Sequence, residues 1–115
     1  MNFVEGQIDG GVFRASGTKV AVPGVSDTPR ATFGFRPEDC EVVEAGSGMI
    51  DSRVYTVEMT GDQVLVTFEL EGSHLVAKMP KEFEIQPNAT AGIALDAGHY
   101  YFFDSESGMR LRTTS

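Results

Sequence analysis

Gln63-Val64-Leu65-Val66-Thr67-Phe68-Glu69-Leu70-Glu71, and after Gly72-Ser73 the run His74-Leu75-Val76-Ala77-Lys78-Met79, decide the fold class of this chain. In the first run Val64, Val66, Phe68 and Leu70 share one face, while Gln63, Thr67, Glu69 and Glu71 share the other. Strict alternation of this length is what a strand needs when one face meets a core and the other meets water. The second run alternates likewise, with Leu75, Ala77 and Met79 together, so the two read as a hairpin joined by a Glu71-Gly72-Ser73 turn. Upstream, Met49 to Met59 is a further β-rich run that closes at Thr60-Gly61-Asp62, a second turn signal. The prediction is a three-strand meander from about Met49 to Met79.

Working outward, the first half of the chain is more broken and holds eight of the 13 glycines. Gly10-Gly11-Val12-Phe13-Arg14-Ala15 and Gly17-Thr18-Lys19-Val20-Ala21-Val22 read as short strands between turns, the pattern of a small barrel or sandwich. Val25 to Arg30 reads as an exposed loop. The last third runs Gly92 to Leu95, Tyr100 to Phe103, a turn at Ser105 to Gly108, then a short terminal strand from Met109 to Leu111. No useful window has helical periodicity. A helical turn is expected only after Pro37, with Glu38 and Asp39 near its positive end. The expected fold is all-β, a small barrel of discontinuous strands with at most one or two short helical turns.

Size and charge narrow the function. At 115 residues the chain suits one domain, 1–115, and its 41% hydrophobic content suffices for a core. A formal charge of −8 disfavours both nucleic-acid backbones and polybasic membrane binding, which rest on Lys and Arg. Cys40 is the single cysteine and sits among Glu38, Asp39 and Glu41, which raise rather than lower a thiol pKa; it reads as a packing residue. No segment is long and apolar enough for a membrane helix, and the N-terminus lacks a signal-peptide pattern, so a cytoplasmic location is expected.

Searches for chemistry return nothing usable. A phosphate loop needs G-x-x-x-x-G-K-[ST], and Gly17-Thr18-Lys19 lacks the first glycine. Gly46-Ser47-Gly48-Met49-Ile50-Asp51 fails as a dinucleotide fingerprint at the third glycine. His74 and His99 lie far apart in sequence with no short-spaced ligand pair, so no metal site is expected. No nucleophile elbow occurs. The aromatic run Tyr100 to Phe103 lacks the basic residues of a base-stacking platform and reads as a strand with one wet side. No catalytic, cofactor-binding or metal-binding residue is expected.

Three stretches, in order, resemble one family. Met1-Asn2-Phe3-Val4-Glu5-Gly6 is similar to the join after the nucleotide-binding domain of ABC-importer ATPases of the maltose, glycerol-3-phosphate and multiple-sugar group. Phe33-Gly34-Phe35-Arg36-Pro37-Glu38-Asp39 resembles that group's G-[IF]-R-P-E signature. Tyr101-Phe102-Phe103-Asp104-Ser105-Glu106-Ser107-Gly108-Met109-Arg110-Leu111 resembles its closing h-l-F-D-x-x-T-G-x-x-L element, with Ser107 for the commoner Thr. The resemblance implies a transport-associated OB-like (TOBE) barrel that regulates and dimerises the ATP-binding subunit of a carbohydrate-type importer. It implies ATP and Mg²⁺ in a nucleotide-binding domain absent from this chain, and no cofactor here. Implied partners are the same domain of a second subunit, permease subunits through the absent domain, and a regulatory protein, with no nucleic acid. Through that complex the subunit would be peripheral at the inner face of the membrane. The alternative is a sensor of an oxyanion or sugar phosphate, of the molybdate or polyamine importer type. The signature residues Gly34, Arg36, Pro37, Glu38, Phe103, Asp104 and Gly108 are expected to have structural roles. Gly34 relieves a crowded strand position, Pro37 stops the strand, Arg36 forks onto a carboxylate, and Glu38 or Asp39 holds the turn. Phe103 is expected in the core and Gly108 in a turn at positive φ.

Overall fold

Alternation of side chains governs nearly every element of the computed structural model, which describes residues 1–70, 73–96 and 98–111. Its strands are β1 (Asn2–Asp9), β2 (Val12–Ala15), β3 (Thr18–Ala21), β4 (Thr28–Phe35), β5 (Cys40–Glu44), β6 (Ile50–Thr60), β7 (Gln63–Leu70), β8 (Ser73–Pro80), β9 (Thr90–Leu95), β10 (Tyr100–Asp104) and β11 (Arg110–Leu111). A single 3-10 turn, Pro37–Asp39, separates β4 from β5. The hydrogen-bonded order is β11-β10-β4-β1-β2-β3-β6-β7-β8, with β9 joining β5 to β6. Every pairing is antiparallel. The fold is all-β.

The expected meander is present as β6, β7 and β8, with Val64 opposite Met79 and Phe68 opposite Leu75. Val64, Val66 and Phe68 are buried, as their shared face requires. Of the turn expected between β7 and β8, Glu71 and Gly72 lie outside the described residues. A register shift between Val54 and Thr56 leaves Tyr55 unpaired. β6 pairs with β9 through Ile50–Arg53 and with β7 from Arg53 onward, on both sides of the bulge.

β4 begins at Thr28, three residues inside the stretch expected to be a loop. Thr28 is buried opposite Ile8, and the irregularity that follows leaves Pro29 outside the ladder, where its missing N–H costs nothing. β1 was hidden in the sequence because its inward positions are Asn2, Val4, Gly6 and Ile8, two of them not apolar.

Asn2 closes the barrel. It is buried, and its Nδ2 donates to the Val76 carbonyl at 2.7 Å while the Val76 N–H donates to its Oδ1 at 2.9 Å. The carboxamide thus pairs with β8 as a strand residue does, joining the end of the β1-β2-β3-β6-β7-β8 path back to its start.

The core centres on aromatic rings. Phe33 stacks on Phe102 at 5.0 Å and 18°, and Phe13 tilts against both at 5.6 and 5.4 Å. Each fully buried side chain of this kind contributes about 1.5–3 kcal/mol, so this cluster outweighs any single polar contact. It is Phe102, and not Phe103 as expected, that enters the core. Phe102 pairs with inward-facing Phe33, which turns Phe103 to the outer face, where it is half-buried. In Tyr100-Tyr101-Phe102-Phe103 both parities are aromatic, so alternation alone cannot choose the inner one.

Replacing Asn2 with Ala strands the Val76 N–H and carbonyl at a part-buried position and is expected to lower stability by about 1–3 kcal/mol. Asn2→Asp, which keeps the acceptor and loses the donor, should also destabilise. Urea unfolding measures both, and an Asn2→Ala midpoint equal to that of the parent chain would show that the barrel closes without this clamp.

Candidate functional site

Pro37 builds the first candidate region. It ends β4 and restricts Arg36 to an extended conformation, φ −89 and ψ 147. The Asp39 N–H then donates to the Arg36 carbonyl at 3.0 Å, closing the 3-10 turn. The Cys40 thiol donates to the Pro37 carbonyl at 3.3 Å. The turn is held by its backbone and this thiol. The Asp39 carboxylate, expected there, instead faces His99 Nδ1 at 3.5 Å.

That pair stands over an open cleft of about 440 Å³ lined by residues including Asp39, Cys40, Lys78, Met79, Asp96 and His99. Glu38 also borders it. The His99 side chain is 55% exposed, so this contact adds little to stability. Arg36 does not fork onto a carboxylate: among the described residues no acidic group lies within 4.0 Å of it. Its position at the strand end turns it outward to water, exposed. The Cys40 thiol pKa is pushed up to about 12, chiefly by burial, with Asp39 and then Glu38 adding repulsion. Burial, the larger cause, is not visible in the local sequence.

The closing element is turn chemistry. Asp104 Oδ1 accepts the N–H of Glu106 at 2.9 Å and of Ser107 at 3.3 Å. The Gly108 N–H donates to the Asp104 carbonyl at 2.7 Å, and Gly108 adopts φ +75, a conformation that L side chains resist. Gly34 meets a different constraint: a Cβ there would lie 3.3 Å from the Met1 sulfur and from the Phe3 ring. Phe3 and Tyr101 flank Gly34 in the sheet register.

These residues do not form one site. Register places Asp104 beside Ala31, while Arg36 and Glu38 follow the opposite end of β4. The chain does bring together a group that no local pattern announced. Thr32 Oγ1 donates to Glu5 Oε1 at 2.9 Å, Ser105 Oγ donates to Glu5 Oε2 at 3.0 Å, and the two hydroxyls lie 2.8 Å apart. The two histidines stay separate; His74 stacks on Tyr55 at 4.8 Å. Among the described residues no group of three His, Cys, Asp or Glu side chains is placed to hold a metal ion. No helix there is long and apolar enough to cross a membrane.

The model of one protein family, the TOBE domain, matches residues 33–103. That span contains Gly34, Arg36, Pro37, Glu38 and Phe103 and stops before Asp104 and Gly108. The chain is 26% identical over 126 residues to the oligosaccharides import ATP-binding protein MsmX of Bacillus subtilis, covering 97% of this chain and 34% of that protein. It is 28% identical over 80 residues to the sn-glycerol-3-phosphate import ATP-binding protein UgpC of Pectobacterium atrosepticum, covering 70% and 22%. The chain therefore spans about a third or less of the curated relatives it matches. Among solved structures it is similar to the cytoplasmic molybdate-binding protein ModG with molybdate bound. The TM-score is 0.64 at 15% identity, over 88% of this chain and 94% of that one, a likeness of fold.

Because the folded pKa of Cys40 lies above its ordinary value of 9.0, the native state holds this proton more tightly than the unfolded chain. Its contribution to stability is present below pH 9.0 and is lost as pH rises toward about 12. The stability of the parent chain should therefore fall more steeply than that of Cys40→Ala across this window. At pH 8 the native thiol should resist iodoacetamide that labels the urea-unfolded chain readily; equal labelling rates would contradict its burial.

Proposed function

The chain belongs to the TOBE domain family, and from that premise we propose that it is the regulatory and dimerisation domain of the ATP-binding subunit of a carbohydrate-type ABC importer. The observation that carries the reading is the alignment of nearly the whole chain, 97%, with a third of an oligosaccharide-import ATP-binding protein. On this reading residues 1–115 are one accessory domain without catalysis of its own. ATP and Mg²⁺ bind in the remainder of the subunit, which also contacts the permease at the cytoplasmic face of the membrane. The same domain of a second subunit is its partner, and a regulatory protein is a further one.

Physical support comes from what the signature residues do. Pro37, Asp104 and Gly108 make turns, and Gly34 makes room for Phe3 and Met1. These roles suit a scaffold that presents surfaces. The alternative, a sensor of an oxyanion or sugar phosphate, is supported by likeness of fold to a molybdate-binding protein. Oxyanions are held by clustered cations or convergent N–H groups, and the cleft beside Asp39 is rich in carboxylates.

The purified chain is expected to show no ATP turnover above buffer, and turnover abolished by a substitution within it would overturn the reading. Calorimetry with molybdate, sulfate and glycerol 3-phosphate should give no heat of binding; a micromolar response to any of them selects the sensor. Coding sequence upstream of Met1 that contains a phosphate-loop lysine motif supports the importer assignment.

A further inference from the structure

We propose that the outer face of β1, β4, β10 and β11 is a two-fold contact between two copies of this chain, centred on Phe3, Tyr101 and Phe103, with Glu5 of each copy opposite Arg110 of the other. The inference rests on the dimerisation reading above and assigns its surface.

Register defines the face. Phe3, Gly34 and Tyr101 form one row across it, and Glu5, Thr32, Phe103 and Arg110 form the next. Phe3 is 50% exposed and Met1 53%, and Tyr101 and Phe103 are half-buried. Four apolar side chains therefore share one sheet face, with Met1 and Phe3 lying over Gly34. The other large exposed hydrophobic residues do not assemble this way. Tyr55 is stacked by His74, Met59 lies near the end of the β6–β7 hairpin, and Met109 lies just before β11. Clustered exposed aromatic residues mark an interaction surface, whereas single ones do not.

Charge selects the occupant. The chain carries −8, so two copies repel through most approaches. On this face, Arg30 meets Glu106 at 3.9 Å, and Arg110 balances Glu5. It is a neutral patch on an acidic molecule. Glu5 and Arg110 sit at opposite ends of one row, three strand spacings apart, or about 14 Å. A two-fold axis lying in the contact plane, parallel to the strands and midway between β4 and β10, exchanges them, so each carboxylate meets the partner's guanidinium. This self-complementarity is what an isologous interface requires. Both groups are already positioned. The Thr32 and Ser105 hydroxyls hold Glu5, and the Arg110 guanidinium lies 4.5 Å from the centre of the Tyr101 ring. Little side-chain freedom is left to lose on association.

Sedimentation equilibrium over a wide concentration range tests the proposal on the intact chain. A reversible dimer is expected. Phe3→Ser with Tyr101→Ser should weaken it about 30-fold or more, whereas Met59→Ser should leave it unchanged. Glu5→Arg and Arg110→Glu should each weaken it about fivefold, and the two together should restore it, which also shows that the variants fold. A chain monomeric at every concentration overturns this interface together with the dimerisation reading, whereas a dimer indifferent to these face substitutions overturns the interface alone. Neither result touches the family assignment or the ATP-turnover test.

Discussion

One carboxamide pairs the two ends of the β1-β2-β3-β6-β7-β8 path. A sheet that ends in two free edges exposes unpaired N–H and C=O groups, and closure removes them. Here β8 is not closed by a full ladder. Asn2 reaches across and pairs with the N–H and the carbonyl of Val76. Its side chain can do this because one amide group offers both a donor and an acceptor. The Cys40 thiol adds a longer contact to the same carbonyl, at 3.9 Å. The order β1-β2-β3-β6-β7-β8 returns to its origin through this contact, and the inward faces of those strands become one core.

Closure also sets which aromatic residues are structural and which are presented. With Val4 and Phe33 facing inward, the antiparallel register brings Phe102 against Phe33 and leaves Phe3, Tyr101 and Phe103 outside. The outer face is thus a consequence of packing parity. Its polar part is assembled the same way: Glu5, Thr32 and Ser105 come from β1, β4 and the turn after β10, and meet only because those segments are neighbours. A scaffold of this kind needs no perturbed acid or base at its surface. Burial keeps the Cys40 thiol neutral.

The seven signature residues divide between roles set by local backbone geometry and roles that need a distant partner. Pro37 ends a strand, Asp104 gathers two turn amides, and Gly108 supplies a left-handed residue. The roles of Pro37 and Gly108 depend on local backbone geometry, so they were legible residue by residue, whereas that of Asp104 emerged only from the fold. Roles that need a distant partner were misread. Arg36 points to water, Asp39 faces His99 and not its own turn, and Phe103 gave its place in the core to Phe102.

The sequence by itself determined the all-β class, the β6–β7–β8 meander and the short turn after Pro37. These follow from alternation and from the restricted dihedral angles of Pro and Gly, which act over a few residues. Tertiary structure alone decided that Asn2 is a strand partner, that Thr28 begins a strand, that burial governs the Cys40 thiol, and which face of Tyr100 to Phe103 is the inner one. The reason is physical. A buried amide gains its partner 74 residues away and the Phe13–Phe102 pair spans 89, and no local pattern carries that separation.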